Sequence, residues 1–380
     1  MKTAIIATSR KEEEKRVPIH PEHIEFIPKT IRNELYFEQG YGESFGVSDN
    51  QISSMTGNEA VGRSKLLSGF HSVIITKPML EDFKEVPDGS TVWGWIHSVQ
   101  QSDITQTAIR KKLTLIAWEN MYNLNERGMT HIFQKNNEMA GYCGVQHALQ
   151  LRGIDGNFGP ERSAIVLGFG SVSRGAIYAL QRHGINRIKV ITMRPSHVVS
   201  DRIPGLQYMQ MQKQTDGTFM IRNSSNRWTP IIDELTQTDI IVNGVIQDPT
   251  NPSIFIQDHE IKCFTKECLI IDISCDNKMG FSFAHPTDFS HPICQIGNIL
   301  YYSVDHTPTL LWNSATWEIS TSLLPYLPDF VQKKENPVLK RATDMRHGII
   351  LNKDILAFQN RSHHYPYTVL DVQQTKPKKA

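Results

Sequence analysis

The stretch IVLGFGSVSRGAIYAL, Ile165 to Leu180, constrains the fold of this chain more than any other segment. An apolar run of β-formers stops at Gly168 and Gly170, and a helix-like pattern begins at once. Gly168 permits the tight turn and Gly170 lets the backbone approach an anion. Ser171 and Val172 then open a helix whose free N–H groups point at that anion. The usual third glycine is replaced by Ser173, which is small, and Gly175 relaxes the packing further. The glycines alone would also suit an ordinary strand-to-helix turn, so the surrounding pattern has to decide.

That pattern is an alternation of strands and helices. NRIKVITMR supplies a second strand at the spacing a dinucleotide fold requires, and TDIIVNGV and CLIIDISCD read as further buried strands. Asn243 and Gly244, closing TDIIVNGV, join the candidate cofactor residues. Before residue 137, TAIIAT, LYFEQG, SVIITKP, STVWGWIH and KLTLIAWE form another strand series, and NNEMAGYCGVQHALQLRG is a long helical link between the two sets. The polar segment Gly205–Trp228 reads as an irregular insertion, and the last dozen residues as a disordered tail. The end of the second strand carries the cofactor choice. NAD-binding chains place an acid there, whereas VITMRPSH offers Arg194 and Ser196, which suit a 2′-phosphate and favour NADPH over NADH.

Bulk properties exclude several classes. A formal net charge of +1 gives no broad basic surface for nucleic acid. No apolar run reaches the roughly 18 residues of a membrane span, and the N-terminus lacks a secretory pattern. Five irregularly spaced cysteines suit reduced thiols in a cytoplasmic protein. In AHPTDFSHPIC, His285, Asp288, His291 and Cys294 have metal-binding atoms, but the His-Pro steps give no regular ligand face, and no metal is expected.

The chemistry-bearing residues of the first strand series stand at strand ends. Arg16 precedes VPIHPEHI, Lys77 ends SVIITKP and His97 ends VWGWIH. Ligands bind beyond the carboxyl ends of strands in open α/β sheets, which puts Lys77 and His97 near one site. Singly, each has a plainer reading as a solvated turn residue or a satisfied cap. With IIDISCD and YYSVDHTPTLLWN, the set resembles the alanine dehydrogenase superfamily, which also contains saccharopine dehydrogenase and N5-(carboxyethyl)ornithine synthase. The resemblance runs through KRVPIHPEHI, ITKP, GWIH, AGYCGVQHAL, VLGFGSVSRGA, DIIVNGV and IDISCD, and covers nearly the whole chain. The segment NPVLKRATDMRHGIILNKDI is similar to the family's helical C-terminal end. GWIHSVQQ, AGYCG, GSVSRGA and TPTLLWN are most similar to the carboxyethylornithine synthase branch.

The resulting expectation is an α/β chain of two Rossmann-like domains with parallel sheets around a cleft. The dinucleotide-binding domain, 138–305, is inserted into a discontinuous substrate and catalytic domain, 1–137 and 306–380. The resemblance implies that Arg16 clamps a 2-oxo acid carboxylate, that Lys77 and His97 polarise its carbonyl and carry protons, and that Asp276 lies near the nicotinamide ribose. Where alanine dehydrogenases have asparagine, this chain has His306 in VDHTP, closer to the saccharopine dehydrogenase pattern. His306 is therefore a candidate substrate-binding residue, and the amine is left open. The implied activity is NADPH-dependent opine-type reduction, joining a 2-oxo acid such as pyruvate to the amino group of an amino acid such as ornithine or lysine. Alternatives are alanine dehydrogenase with ammonia, a saccharopine-type enzyme with 2-oxoglutarate, and a non-catalytic NADP(H)-binding sensor. Partners are then small molecules, with neither nucleic acid nor membrane, and the resemblance implies a homo-oligomer.

Overall fold

The computed structural model describes residues 1–125, 128–223, 225–248 and 251–370; the tail from residue 371 lies outside the described residues. Two compact units divide the chain, Met1–Phe133 with Trp312–Ala380, and Gln134–Leu311 inserted between them. The inserted unit starts four residues earlier and ends six later than the expected 138–305 (138 − 134 = 4; 311 − 305 = 6). The reason is local. Gln134–Leu151 is one continuous helix, α1, and Thr307 Oγ1 donates to the Ala140 carbonyl on it at 2.9 Å.

The first unit is built on β1 (Thr3–Ile6), β2 (Leu35–Phe37), β3 (Ser72–Ile75), β4 (Thr91–Gly94) and β5 (Thr114–Ala117). These run parallel in the order β2-β1-β3-β4-β5, and Thr343–Arg346 and Ile349–Ile350 extend the sheet antiparallel. Unbroken apolar runs such as TAII and SVII suit strands covered on both faces. Successive side chains accordingly enter two cores, with Ile5, Ile74 and Trp93 in one and Ala4, Ile6, Val73 and Ile75 in the other.

The second unit continues from α1 with β6 (Ser163–Leu167), α2 (Ser171–Arg182), β7 (Arg187–Thr192), β8 (Gln207–Lys213), β9 (Phe219–Arg222) and β10 (Trp228–Pro230). It ends with β11 (Ile240–Asn243), β12 (Cys268–Asp272), β13 (Ile293–Ile296) and β14 (Ile299–Tyr302). The sheet order is β10-β9-β8-β7-β6-β11-β12-β14-β13, and the strands from β8 through β14 in the interior of that order are parallel. Strand order reverses between β6 and β11, the switch point of a doubly wound dinucleotide fold.

The segment expected to be irregular is not. Gly205–Trp228 holds β8 and β9 and the first residue of β10. Its polar composition hides a period of two. Met209, Met211, Phe219 and Ile221 enter the core, while Tyr208, Gln210 and Gln212 take the alternate positions of β8. After the inserted unit, α3 (Trp312–Leu323) returns to the first one, where Thr316 Oγ1 accepts from the Val17 amide at 3.1 Å. Among the described residues no helix is long and apolar enough to cross a membrane.

Two residues answer for the missing third glycine. Ser173 is fully buried, with Oγ 3.4 Å from the Leu167 carbonyl it donates to, so it supplies the close helix–strand contact. Gly175 serves a different neighbour. A Cβ at Gly175 would overlap the Glu138 carbonyl oxygen of α1, and one at Gly141 would overlap the Val172 carbonyl of α2. The two helices therefore touch backbone to backbone. Gly175→Ala should lower the unfolding free energy of this unit by about 1–3 kcal/mol, the usual cost of overpacking, read as a lower urea midpoint.

Candidate functional site

In the first unit β1, β3 and β4 are side by side, so the loops beyond their carboxyl ends are neighbours. Lys77 lies two residues beyond β3 and is buried, and its carbonyl accepts from Ser9 Oγ in the loop after β1 at 2.9 Å. Arg16 lies further along that loop, 3% exposed. Its Nε and Nη2 donate to the two carboxylate oxygens of Glu14 at 2.8 and 2.5 Å, a fork-to-fork pair. Its guanidinium carbon is 4.8 Å from the ring centre of Trp95, the residue that follows β4. Arg16 thus reaches the start of the loop that carries His97.

His97 has φ 52°, a left-handed conformation that a side-chain-bearing residue keeps only when its surroundings impose it. Glu119, just beyond β5, imposes it. Its carboxylate accepts from the Ile96 and His97 amides at 3.2 and 2.5 Å. One residue on, Ser98 Oγ donates to Asp344, which also accepts from Asn120 and Asn352 Nδ2 at 2.8 and 3.0 Å. Burial, with the Asp344 carboxylate beside it, holds the Glu119 carboxyl well above the usual carboxylate range. Neither acid was marked in the sequence as a site residue. The available signal was Glu119 itself, a charge directly after the apolar run LTLIAW.

In the second unit the carboxyl ends of the parallel strands gather the other candidates. Gly168 has φ +86° and turns the chain after β6. Gly170 caps α2 in an extended conformation with no side-chain cap, and a Cβ built there meets nothing within 4 Å. Open space before uncapped amides at Gly170, Ser171 and Val172 fits a pyrophosphate. Arg194, two residues beyond β7, reaches back so that Nη2 donates to the Phe169 carbonyl of this loop at 3.2 Å. The side chain of Ser196 lies outside the described residues. The Gly244 amide donates to the Leu167 carbonyl at 3.1 Å, joining the loop after β11 to the glycine turn. Asn243 is placed differently. Its side chain is fully buried, donating to Asp272 at 3.0 Å and accepting from the Val245 amide at 3.2 Å, so it braces the loop from beneath.

Asp276 follows β12, half-buried and with no hydrogen bond to its carboxylate among the described residues; burial pushes it up to about 6. His306 falls in this inserted unit, not in the one expected from its sequence position. It is 2% exposed, with Nδ1 2.5 Å from Asp305 Oδ1 and its ring edge-on to Phe289. The cluster in AHPTDFSHPIC separates into two pairs. Cys294 Sγ lies 3.7 Å from His285 Nε2, and the His291 amide donates to Asp288 at 2.6 Å. Among the described residues no group of three or more His, Cys, Asp or Glu could hold a metal ion.

The sheet order, the glycine turn and the open helix start define the second unit as a dinucleotide-binding domain of the dehydrogenase class. Residues 5–140 match the family description Alanine dehydrogenase/PNT, N-terminal domain, and residues 160–358 match Alanine dehydrogenase/PNT, C-terminal domain. The chain belongs to the alanine dehydrogenase/PNT family. It is an NAD(P)-dependent oxidoreductase acting on the CH–NH groups of amino acids, and its cofactor is a nicotinamide dinucleotide. An N(5)-(carboxyethyl)ornithine synthase of Clostridium botulinum (strain Hall) is 26% identical, over 81% of this chain and 88% of its own. An alanine dehydrogenase of Methanococcus maripaludis is 21% identical, over 94% and 95%. A solved L-alanine dehydrogenase superposes with a TM-score of 0.70 at 16% identity, covering 94% of this chain and 99% of that one.

The acid beneath the second site has a measurable signature. Burial pushes Asp272 up to about 7, against the pull of its hydrogen bonds from Tyr301 and Asn243. The unfolded chain releases this proton near pH 4, so between about pH 4 and 7 the native state binds more protons and stability falls as pH rises. Asp272→Asn should remove that fall. The stability difference between variant and parent, from urea melts, should grow in the variant's favour by up to a few kcal/mol from pH 4 to 7 and stay level above.

Proposed function

We propose that the chain is an NADPH-dependent opine-type reductase that joins a 2-oxo acid, pyruvate first, to the amino group of an amino acid such as ornithine or lysine. The observation that carries the reading is that Arg16, Lys77 and His97 gather at the carboxyl ends of β1, β3 and β4. An oxo acid needs such a set, with one group for its carboxylate and two for its carbonyl. Similarity to a carboxyethylornithine synthase over 81% of the chain supports the choice of amine. Arg194, reaching from β7 to the glycine turn with no acid in its place, supports NADPH.

Each residue then has a physical task. Arg16, gripped along one edge by Glu14, presents a fixed cation to the substrate carboxylate. The attacking amine must be neutral, and the carbinolamine it forms must lose its hydroxyl as water. His97 accepts the amine proton and Lys77 supplies a proton to the departing oxygen. Together the cations stabilise the alkoxide that develops during attack. Bound NADPH supplies the hydride that reduces the imine carbon, and Asp276 orients the ribose next to that group. The Asp305–His306 pair favours a second reading, a saccharopine-type enzyme using 2-oxoglutarate and lysine.

NADPH oxidation followed over a grid of oxo acids and amines tests the reading. Turnover should require an amino acid with a side-chain amine. Turnover with ammonium alone would make the chain an alanine dehydrogenase, and a strict need for 2-oxoglutarate would favour the second reading. Lys77→Ala and His97→Ala should each abolish turnover while calorimetric NADPH affinity stays within about twofold of the parent. Near-normal turnover in both would overturn the site. Arg194→Asp should shift preference from NADPH toward NADH.

A further inference from the structure

The hairpin β8–β10 builds a cavity that the reading above leaves unused. It has a volume of about 240 Å³, and its wall includes His197, Tyr208, Gln210, Arg222, Asn223 and Asn226. No carboxylate is among the described residues that line it. The Arg222 guanidinium and the His197 ring make no hydrogen bond or ion pair among the described residues. An unneutralised guanidinium among amide side chains, with no acid in the wall, selects an anion.

Its position in the sheet identifies the anion. Met209 and Met211 turn into the core on one face of β8, so Tyr208 and Gln210 occupy the other. Met211 pairs with Ile221, which sets Gln210 opposite Arg222, and Gln210 also pairs with Thr192 at the carboxyl end of β7. The wall therefore stands level with the strand end that delivers Arg194. Tyr208 packs edge-on against Phe169 of the glycine turn with ring centres 5.1 Å apart, and Pro195, next to Arg194, lines the cavity. Through Tyr208 and Pro195 the cavity wall adjoins the turn that holds the adenosine half of a dinucleotide in such folds.

A 2′-phosphate carries close to two negative charges and three acceptor oxygens. Arg194 brings one positive charge against nearly two, and part of its donor fork already serves the Phe169 carbonyl, which leaves the phosphate room for a second cation. We propose that the hairpin supplies the rest of the 2′-phosphate seat, with Arg222 as the second cation, His197 as a further donor and Gln210 and the two asparagines as neutral donors. The inference rests on the NADPH reading and deepens it: cofactor choice is made by a strand-borne arginine together with one from the added hairpin.

Calorimetric titration with 2′,5′-ADP, 5′-AMP and inorganic phosphate tests it. The parent protein should bind 2′,5′-ADP more tightly than 5′-AMP. Arg222→Ala should weaken 2′,5′-ADP by roughly tenfold, the loss of one charge-assisted contact, and leave 5′-AMP affinity unchanged. His197→Ala should act in the same direction more weakly, and the ratio of kcat/KM for NADPH to that for NADH should fall with the 2′,5′-ADP affinity. If both variants bind 2′,5′-ADP as the parent does, the hairpin inference fails while the role of Arg194 stands. If the parent binds 5′-AMP as tightly as 2′,5′-ADP, the NADPH reading itself fails. Inorganic phosphate that depends on Arg222 yet leaves NADPH binding unaffected would make the cavity a separate anion site and overturn the inference. Arg222 is exposed, so a folding defect does not confuse the comparison.

Discussion

A carboxyl group taken out of water must be given hydrogen-bond partners, and this requirement organises both units. Glu38, buried beyond β2, accepts from the amides of Ala7 and Thr8 and from the Thr8 hydroxyl. Glu119 accepts from the amides of Ile96 and His97, and Glu14 holds Arg16. Asp272 in the inserted unit gathers Asn243, Tyr301 and the Ser274 amide. Glu38, Glu119 and Asp272 sit at or just past a strand end and Glu14 further along the loop after β1, and the groups they collect lie at or near strand ends. The loops that carry the chemistry are thereby held in shapes their own sequences would not keep. The left-handed turn at His97 is the plainest instance.

Most of the architecture was legible because buried parallel strands are unbroken apolar runs, and TAII, SVII, SAIVL and CLIID stand out against their polar flanks. The hairpin of the inserted unit was not, since its face away from the core is glutamine-rich and its alternation is short. Unit boundaries also escaped by a few residues, because a helix and a threonine side chain decide them and neither leaves a composition change.

The candidate site was marked in the sequence where chemistry demands a rare residue at a strand end, as with Lys77, His97 and Arg194. It was illegible where a residue acts through another. Glu14 lay hidden inside the acidic run EEE, and Asp344 is more than two hundred positions from the serine it accepts from (344 − 98 = 246). Asn243 is a different case. Its place beside Gly244 suggested ligand contact, yet its side chain is spent inside the sheet. Sequence position identifies the strand end, whereas only packing decides which way a side chain turns there.

One edge strand of the inserted unit, β10, has a consequence for self-association. β10 is three residues long and ends in Pro230, which has no amide hydrogen to offer a further strand. A short, proline-terminated margin blunts the ladder that another polypeptide would need for lateral recruitment. Growth of fibrils or stacked sheets from this flank is thereby discouraged, and any assembly between copies of the chain must rely on side-chain surfaces instead of backbone pairing there.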